Sequence, residues 1–224
     1  MTVKRETYEF CDLFNRAQVF STTPGMNGWT IKDTSSSGTP TYLCATDVGA
    51  VLTLASTSEE EIVTLYQNDV LPYDLADIQR VEMDLQVAGI DSVTTLVAGL
   101  ASAQNDTEDS VATNAWFRME GSASTTALVV ETDDGTNDNN DKATGATLAA
   151  VIKRLIIDFT NGLADVRFFV DGERVAASTK FDMSAIASGT SVQPFVQLHK
   201  ASGTGTPAVK IRKFEIYAKT SYGA

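Results

Sequence analysis

Hydrophobic and polar residues alternate along much of the chain after residue 50. In IQRVEMDLQV, residues 78–87, apolar side chains occupy positions 81, 83, 85 and 87, and polar side chains occupy positions 82, 84 and 86. A period of two is typical of a β-strand with one buried face. About ten to twelve such runs follow one another, separated by Gly, Asn, Asp and Ser turns, with no repeat of fixed period. The pattern predicts an all-β protein built as a sandwich or barrel.

The first part of the chain has a different pattern. Scattered aromatic residues precede the turn-forming pairs Pro24-Gly25 and Asn27-Gly28 and a Ser, Gly and Pro cluster at residues 34–40. We therefore expect residues 1–45 to form an extended N-terminal arm with short strands, as part of the same unit. Residues 46–224 are expected to form the sandwich domain.

Two dipeptides predict tight turns between consecutive strands. Asn161-Gly162 follows RLIIDFT, and Asp171-Gly172 follows LADVRFFV. Both pairs tolerate the positive φ angles of a type I′ turn, so they predict a three-stranded antiparallel meander. The middle strand has apolar residues on both faces, and we expect the outer face, at Phe169, to be covered by a loop, the arm or a partner.

Composition narrows the classes of function. The chain has 224 residues, 43% of them hydrophobic, which is enough to bury a core. With 17 basic and 29 acidic residues, its formal net charge is −12. Such a surface repels phosphate backbones and anionic lipids, so we expect neither nucleic acid nor membrane as a partner.

The two cysteines and the opening residues bear on the cellular compartment. Cys11 and Cys44 are either a single disulfide or two buried thiols, and two cysteines make no disulfide framework. The opening residues lack the basic start and apolar run of a secretion signal, so we expect synthesis in the cytoplasm.

Several of these strands resemble a known fold family. The strand ending in Phe and Val, the Asp-Gly turn and the short strand after it, preceded by RLIIDFTNG, resemble a hairpin of concanavalin A-like lectin, glucanase and laminin-G domains. The order VEMDLQV, TTLVAGLAS, AWFRME and VKIRKFEIYAK also fits, so the likeness covers roughly residues 45–218. The resemblance implies an all-β, two-sheet antiparallel jelly-roll sandwich.

The first candidate for chemistry is the pair Glu82 and Asp84. Glucanases of this fold use a Glu-x-Asp strand followed by a second Glu, and these two residues share a strand face about 6.6 Å apart. The position of the second Glu holds Gln86 or Val87, which cannot transfer a proton, so the two-carboxylate mechanism fails here. We therefore expect a solvated polar strand face, no catalytic residue and no enzymatic activity.

The acidic stretch ETDDGTNDNNDKATG is the candidate metal site. Its hard oxygens would suit calcium, and the candidate ligands are Asp133, Asp134, Asp138 and Asp141. Gly135 comes too early for an EF-hand loop, and a solvated hairpin tip has the same composition. We expect no cofactor; the alternative is a calcium ion that orders the loop.

The single histidine and the large aromatic residues are the remaining candidates for a catalytic or sugar-binding site. No G-x-S-x-G elbow accompanies His199, so we expect a structural or surface role at a strand end. A sugar-stacking platform would use Trp29, Trp116, Tyr42, Tyr66 and Tyr73. The competing interpretation places Trp116 in the core or on a sheet face.

A second likeness concerns GWTIKDTSSSGTPTYLC and the stretch from TLASTSEEE to DLQV. These resemble virion-associated proteins of tailed bacteriophages. The resemblance implies a non-enzymatic structural protein of a phage virion, most concretely a decoration or cement protein on the capsid exterior. Many copies, each bound modestly to the major capsid protein, would stabilise the shell, and homo-oligomers such as trimers are expected.

We expect the arm to make these contacts, because an extended segment covers much neighbouring surface. The candidate partner-contact residues are Lys4, Arg5, Phe10, Phe14, Phe20 and Trp29. The alternative function is a carbohydrate-binding module of a head or tail fibre, with a glycan as partner. A glycosidase is the third hypothesis, weakened by the missing Glu.

Overall fold

Seventeen β-strands make up most of the regular structure of residues 6–219, the part of the chain that this computed structural model describes, with side chains from residue 10 onward. The strands are β1 (Glu6–Asp12), β2 (Gln18–Val19), β3 (Thr30–Asp33), β4 (Thr41–Ala45), β5 (Gly49–Thr53), β6 (Glu61–Tyr66), β7 (Tyr73–Asp74), β8 (Ile78–Ala88), β9 (Thr94–Ala101), β10 (Asn114–Glu120), β11 (Ala127–Asp133), β12 (Asp138–Thr147), β13 (Lys153–Asp158), β14 (Arg167–Val170), β15 (Glu173–Val175), β16 (Ser191–Lys200) and β17 (Ala208–Lys219). Short 3-10 turns lie at Met26–Gly28, Glu108–Ser110 and Leu163–Asp165. Within residues 6–219, no helix is long and apolar enough to cross a membrane.

The strands form two sheets in which paired strands are antiparallel. The order in the nine-stranded sheet is β15-β14-β13-β8-β17-β5-β4-β2, and β1 also pairs with β17. The order in the eight-stranded sheet is β12-β11-β10-β9-β16-β6-β3, and β7 also pairs with β16. This architecture confirms the predicted all-β, two-sheet sandwich.

The apolar core fills the space between the two sheets. On β8, Val81, Met83 and Leu85 are fully buried, as their alternation predicts. Phe117 of β10 meets Phe168 of β14 edge to face, with ring centroids 5.3 Å apart. Because these two strands belong to different sheets, the contact holds the layers together, in the geometry that aromatic pairs prefer.

The N-terminal segment is built into the sandwich. β1 and β2 join the nine-stranded sheet, and β3 joins the eight-stranded sheet. Four predicted partner-contact residues are buried in the protein's own core: Phe10, Phe14, Phe20 and Trp29. Trp29 donates its Nε1–H to Asp12 at 2.9 Å and packs edge to face on Phe214. These four aromatic residues therefore stabilise the sandwich instead of facing a partner, and Lys4 and Arg5 lie outside the described residues.

The predicted meander is present, but only one of its turns has the expected form. β13, β14 and β15 pair consecutively. Asp171 and Gly172 have φ angles of 51° and 89°, which confirms a turn with two positive φ angles. The prediction at Asn161-Gly162 is wrong, because the 3-10 turn after Gly162 lengthens the connection. The chain first pairs Val166 with Phe181, and that tertiary contact replaces a two-residue turn.

The two faces of β14 have different environments. β14 lies inside its sheet, between β13 and β15, as predicted. Phe168 is fully buried, whereas Phe169 faces outward, half-buried, with Ile156 as its cross-strand neighbour. Neither a loop nor the arm covers Phe169 completely, and the apolar cross-strand pair accounts for part of its burial. Coverage of this face by a partner stays a prediction.

Both cysteines are free thiols. Cys44 is buried and donates to the carbonyl of Phe14 at 3.0 Å, while Cys11 is exposed and donates to Glu215 at 3.3 Å. Desolvation of the thiol together with the neighbouring Glu215 carboxylate raises the pKa of Cys11 to about 11, and desolvation raises the pKa of the buried Cys44. The structure has the two-thiol arrangement, with one of the thiols at the surface.

Candidate functional site

The outer face of the eight-stranded sheet presents side chains in three rows that cross the strands. Alternate residues of a strand share a face, so cross-strand neighbours line up. The first row, the cleft row, contains Ile62, His199, Thr95 and Glu120. The middle row contains Lys32, Thr64, Gln197, Val97 and Arg118. The third row, the aromatic row, contains Tyr66, Phe195, Gly99, Trp116 and Glu131.

A cleft of about 670 Å³ lies over the cleft row. The cleft row and Arg118 line it, together with Thr34, Glu60 and residues near 92–94. Another wall comes from residues 106–109, which belong to the β9–β10 connection. We call this connection, residues 102–113, the cover loop. Most of the lining residues are polar, but the surface that they expose to the cleft is about equally polar and apolar, with Ile62 and Val93 among the apolar contributors.

Arg118 is the main positive charge of the cleft. Only 8% of its side chain is exposed. Its guanidinium contacts five carboxylates, Asp109 at 2.7 Å, Glu120 at 2.9 Å, Glu131 at 3.4 Å, and Glu108 and Asp141 at 3.7 Å. Burial alone would lower the pKa of Arg118, but these carboxylates outweigh burial and raise it. Because acidic groups outnumber the guanidinium, this part of the cleft has an excess of negative charge.

Glu131 is the buried member of this group. Its residue is 2% exposed, and its carboxyl accepts from Asn114 Nδ2 at 3.3 Å and Arg118 Nη1 at 3.4 Å. Burial raises the pKa of Glu131 to about 7, because the attraction of Arg118 offsets the desolvation only in part. Glu131 therefore changes its charge near neutral pH beneath the cleft.

His199 lies on the floor of the cleft. Its Nε2 is 3.1 Å from Glu60, and its Nδ1 is 4.0 Å from Glu108. The sequence prediction gave this residue a structural or surface role at a strand end. The structure places His199 near the end of β16, as predicted, and among the acidic groups of the cleft, with part of its side chain exposed.

Sequence reasoning missed the residues at the centre of the cleft. In AWFRME, alternation already places Trp116, Arg118 and Glu120 on one strand face, so part of the signal was present. Glu108 and Glu131 reach Arg118 from the cover loop and from β11. Their approach depends on strand order and loop path, which no local pattern encodes.

Glu82 and Asp84 lie on the outer face of the other sheet. Glu82 pairs with Lys213 at 2.6 Å and with Arg80 at 3.0 Å. Asp84 pairs with Arg154 at 3.1 Å. This is a salt-bridged strand face, and it contributes nothing to the cleft.

The four candidate calcium ligands are not brought together. Among the described residues, no group of three or more His, Cys, Asp or Glu side chains is arranged to hold a metal ion. Asp134 accepts the backbone N–H groups of Thr136, Asn137 and Ala185, and Asp141 faces Arg118. Asp133 accepts from Gly135, and Asp138 from Asn140. Hydrogen bonds within the loop and to residue 185 therefore order this hairpin.

The aromatic residues predicted for a stacking platform do not form one exposed surface. Trp116 is fully buried, and Tyr66 is 8% exposed. Tyr42 and Tyr73 are half-buried on strands of different sheets. Trp116 instead stacks on Phe195, with ring centroids 6.0 Å apart and an interplanar angle of 27°.

Comparison with known proteins identifies the fold. No family model matches the sequence, and no curated protein matches it. The laminarinase of Rhodothermus marinus is similar in structure, with a TM-score of 0.65, 9% identity, and coverage of 98% of this chain and 100% of that chain. The GH16 endo-β-1,3(4)-glucanase SCLam has a TM-score of 0.64, 12% identity, and coverage of 96% and 92%. The carbohydrate recognition domain of Emp47p has a TM-score of 0.59, 12% identity, and coverage of 98% and 100%.

The protein is a concanavalin A-like jelly-roll sandwich of the kind found in lectins and glucanases. The similarity extends over nearly the whole chain, including the N-terminal segment. The sequence prediction of a non-enzymatic protein is corrected by this comparison, because several of the similar structures are endo-β-1,3-glucanases or laminarinases. That prediction depended on the missing second Glu near Glu82, and the structure shows that this strand face lies away from the cleft.

Proposed function

We propose that the cleft on the eight-stranded sheet binds a neutral saccharide. The observation that carries the proposal is an open cleft of about 670 Å³ lined by hydrogen-bonding side chains on a concanavalin A-like sheet. Carboxylates accept hydrogen bonds from sugar hydroxyls, and guanidinium and hydroxyl groups donate to them. Ile62 and Val93 supply apolar surface for the C–H groups of a sugar ring.

The charge of the cleft favours neutral over acidic saccharides. Five carboxylates surround Arg118, Glu60 lies beside His199, and the whole chain has a formal charge of −12. A polyuronate or a sulfated glycan would meet repulsion from these groups. A neutral glucan oligomer would not.

Saccharide binding is tested by glycan-array screening, followed by calorimetric titration of neutral glucan oligomers and of polyuronate oligomers. We expect the neutral oligomers to bind and the polyuronates to bind much more weakly. Glu120→Gln and His199→Ala should weaken binding, because both residues line the cleft. Glu173→Gln, at an exposed position of β15, is the matched control and should bind like the unmodified protein. Equal binding by all four proteins would overturn the location of the site.

We propose glycoside hydrolysis as a second function, with Glu120 and Glu108 of the cleft as the two carboxyl groups. Glu120 Oε2 lies 2.9 Å from Nη2 of Arg118, and Glu108 Oε1 lies 3.7 Å from the same nitrogen. The shared guanidinium therefore brings the two carboxyl groups close to each other. Retaining glycosidases hold their two carboxyl groups about 5–5.5 Å apart, one as nucleophile and one as acid and base. The two residues come from different elements, β10 and the cover loop, and both line the cleft.

Hydrolysis is tested by measuring reducing ends released from a panel of neutral β-glucans. Glu120→Gln and Glu108→Gln should each abolish turnover, because a glutamine serves neither as the nucleophile nor as the acid and base. Glu82→Gln, the same change on the opposite sheet, should retain turnover. Loss of turnover in the Glu82 variant, with both other variants active, would assign the chemistry elsewhere.

A place in a phage virion stays a prediction, supported by the sequence likeness alone. A saccharide-binding cleft is consistent with a head or tail fibre component that holds a particle near a glycan-bearing host. Mass spectrometry of purified virions tests this, and stoichiometric copies are expected. Light scattering of the purified protein tests the predicted homo-oligomer.

A further inference from the structure

We propose that the cover loop conceals an extension of the cleft, and that the Trp116–Phe195 pair beneath it is an additional stacking site for a sugar ring. This inference rests on the proposed saccharide binding and deepens it. It assigns a ligand class to a buried part of the same sheet face and predicts a preference for longer oligosaccharides.

The three rows of the sheet face show how the cleft would continue. The cleft row includes His199, four residues along β16 from Phe195 in the aromatic row. Four residues of a strand span about 13 Å. The middle and aromatic rows would therefore lengthen the cleft by this distance if the cover loop moved away.

The cover loop is longer than its connection requires. It joins β9 to β10, and these strands already pair at Ala101 and Asn114. Hairpin connections of two to five residues are the usual length, and long loops that fold back over a surface are commonly functional. Residues 102–113 instead return over the sheet face.

The aromatic pair belongs to a small apolar cluster that is separate from the main core. Its members are Tyr66, Val97, Ala101, Val111, Trp116 and Phe195. Only Val111 comes from the interior of the cover loop; the others belong to strands. The loop thus covers two large rings with a single buried apolar side chain.

The other attachments of the cover loop are polar. Asp106 pairs with Lys32 at 2.9 Å, with both side chains more than a third exposed. The backbone N–H of Gln104 donates to Asp69 at 2.7 Å. An ion pair as exposed as Asp106–Lys32 contributes little to stability, so water or a ligand can replace it at low cost. Asp109 and Glu108 also pair with Arg118, whose side chain is only 8% exposed, so an open loop needs new polar partners for this guanidinium, which sugar hydroxyls would supply.

Unpaired polar atoms under the cover loop point to a ligand. Arg118 Nε, Gln197 Nε2 and Asn114 Oδ1 are buried and have no hydrogen-bond partner within the described structure. All three residues are more than nine-tenths buried and lie on the same sheet face as the aromatic pair. Buried polar atoms are normally paired. Sugar hydroxyls can both donate and accept, so an oligosaccharide in the extended cleft would satisfy them.

The chemistry of the concealed surface suits a sugar ring. Trp116 and Phe195 offer stacked aromatic surface for the apolar face of a pyranose, and Gln197 and Arg118 supply polar groups beside it. Sites that bind small ligands combine apolar walls with a few polar groups in this way.

The test uses the full chain and two neutral probes, a β-1,3-glucan disaccharide and the corresponding hexasaccharide. Val111→Ser loosens the cover loop, and Val151→Ser, at a position 70% exposed between β12 and β13, is the matched control. When a site is open in only a fraction of the molecules, its apparent affinity is reduced by that fraction. Releasing the loop should therefore tighten hexasaccharide binding by about tenfold or more. Disaccharide binding should change much less, because the cleft row that holds this shorter probe belongs to strands that stay in place, although residues 106–109 of the loop form one wall of the cleft.

Tryptophan emission supplies a second measurement that needs no variant. The chain has two tryptophans, and Trp29 lies in the main core. The hexasaccharide should therefore change the emission of Trp116, while the disaccharide should not. Hydrogen exchange of the free protein should show faster exchange in residues 102–113 than in β9 and β10.

The outcomes separate this inference from the proposed function. If both probes bind with the same affinity to a folded Val111→Ser variant and to the unmodified protein, and Trp116 emission is constant, the inference fails while saccharide binding stands. If neither probe binds to any of the proteins and the glycan array shows no neutral ligand, both proposals fail. Should Val111→Ser fail to fold, the emission and hydrogen-exchange results on the unmodified protein decide the matter.

Discussion

The rings of Trp116 and Phe195 stack although a complete strand separates their backbones. Both residues are cross-strand neighbours of Gly99, which lies between them on β9. Because Gly99 has no side chain, the two rings meet above it, with centroids 6.0 Å apart. This arrangement shields the glycine backbone, as aromatic neighbours of sheet glycines do.

The position of Gly99 predicts that a methyl group is not tolerated there. A Cβ at this position would lie 2.3 Å from the carbonyl oxygen of Ala115 and 2.7 Å from the Cα of Trp116, both backbone atoms. Gly99→Ala should lower the free energy of unfolding by about 1–3 kcal/mol or more, the range for overpacked cores. Urea denaturation measures this, and Gly25→Ala, whose new Cβ would have an ordinary 3.6 Å contact, is the control.

A buried ion pair gives a second prediction about stability. Lys200 Nζ lies 3.4 Å from Glu61 Oε2, and both side chains are 0% exposed. Lys200→Met would leave the Glu61 carboxylate buried without its counter-ion. The free energy of unfolding, measured by urea denaturation, should fall by roughly 3–5 kcal/mol. Lys153→Met breaks a pair with Asp171 that is partly exposed, and should cost about 1 kcal/mol or less. Similar costs for the two variants would contradict this account of the buried pair.

Phe168 and Phe169 are adjacent on β14 but lie on opposite faces of the sheet, so we expect their replacement to affect stability differently. Phe168 is fully buried, with ring centroids of Phe117 and Phe181 at 5.3 and 4.9 Å. Phe168→Ala should cost about 3–5 kcal/mol through lost burial and a cavity. Phe169→Ala removes a half-buried ring and should cost much less. Thermal and urea unfolding of both variants measure the difference, and equal losses would show that the outer face is covered after all.

Glu131 predicts a specific dependence of stability on pH. Its folded pKa is raised from 4.5 to about 7, so the folded state binds more protons than the unfolded state between these values. The protonated carboxyl of Glu131 therefore contributes its full stabilisation below pH 4.5, and this stabilisation is lost as the pH rises through 7. At 1.36 kcal/mol per pKa unit, the loss is about 3 kcal/mol.

The comparison that isolates Glu131 is with Glu131→Gln, which has no carboxyl to ionise. Its free energy of unfolding should exceed that of the unmodified protein increasingly from pH 4.5 to pH 7.5. Urea denaturation at a series of pH values gives the difference. Parallel pH profiles for the two proteins would show that Glu131 is ionised at acidic pH and that burial does not control it.

Predictions from sequence succeeded where the determining contacts are local. The alternation in residues 78–87 gave β8 and its buried face, and Asp171-Gly172 gave the turn between β14 and β15. The prediction at Asn161-Gly162 failed because a distant segment, around Phe181, holds the chain after the turn. Contacts between distant residues also explain Trp29, which was predicted to contact a partner but packs on Phe214 in the core.

The candidate site was less accessible to sequence reasoning. Arg118 and Glu120 could be placed on one strand face, but Glu108 arrives from the cover loop and His199 from β16, which pairs with β9 across a long stretch of chain. Glu82 drew attention because it matched part of a motif, yet it lies on the opposite sheet.

The strands, their buried faces and one tight turn follow from local sequence pattern, because side-chain alternation and the φ preferences of Asp and Gly act within a few residues. The pairing of strands, the path of the cover loop and the charges around Arg118 follow from the three-dimensional fold. Those outcomes depend on contacts between residues far apart in the chain, and such contacts form only when the two sheets close on a shared apolar core.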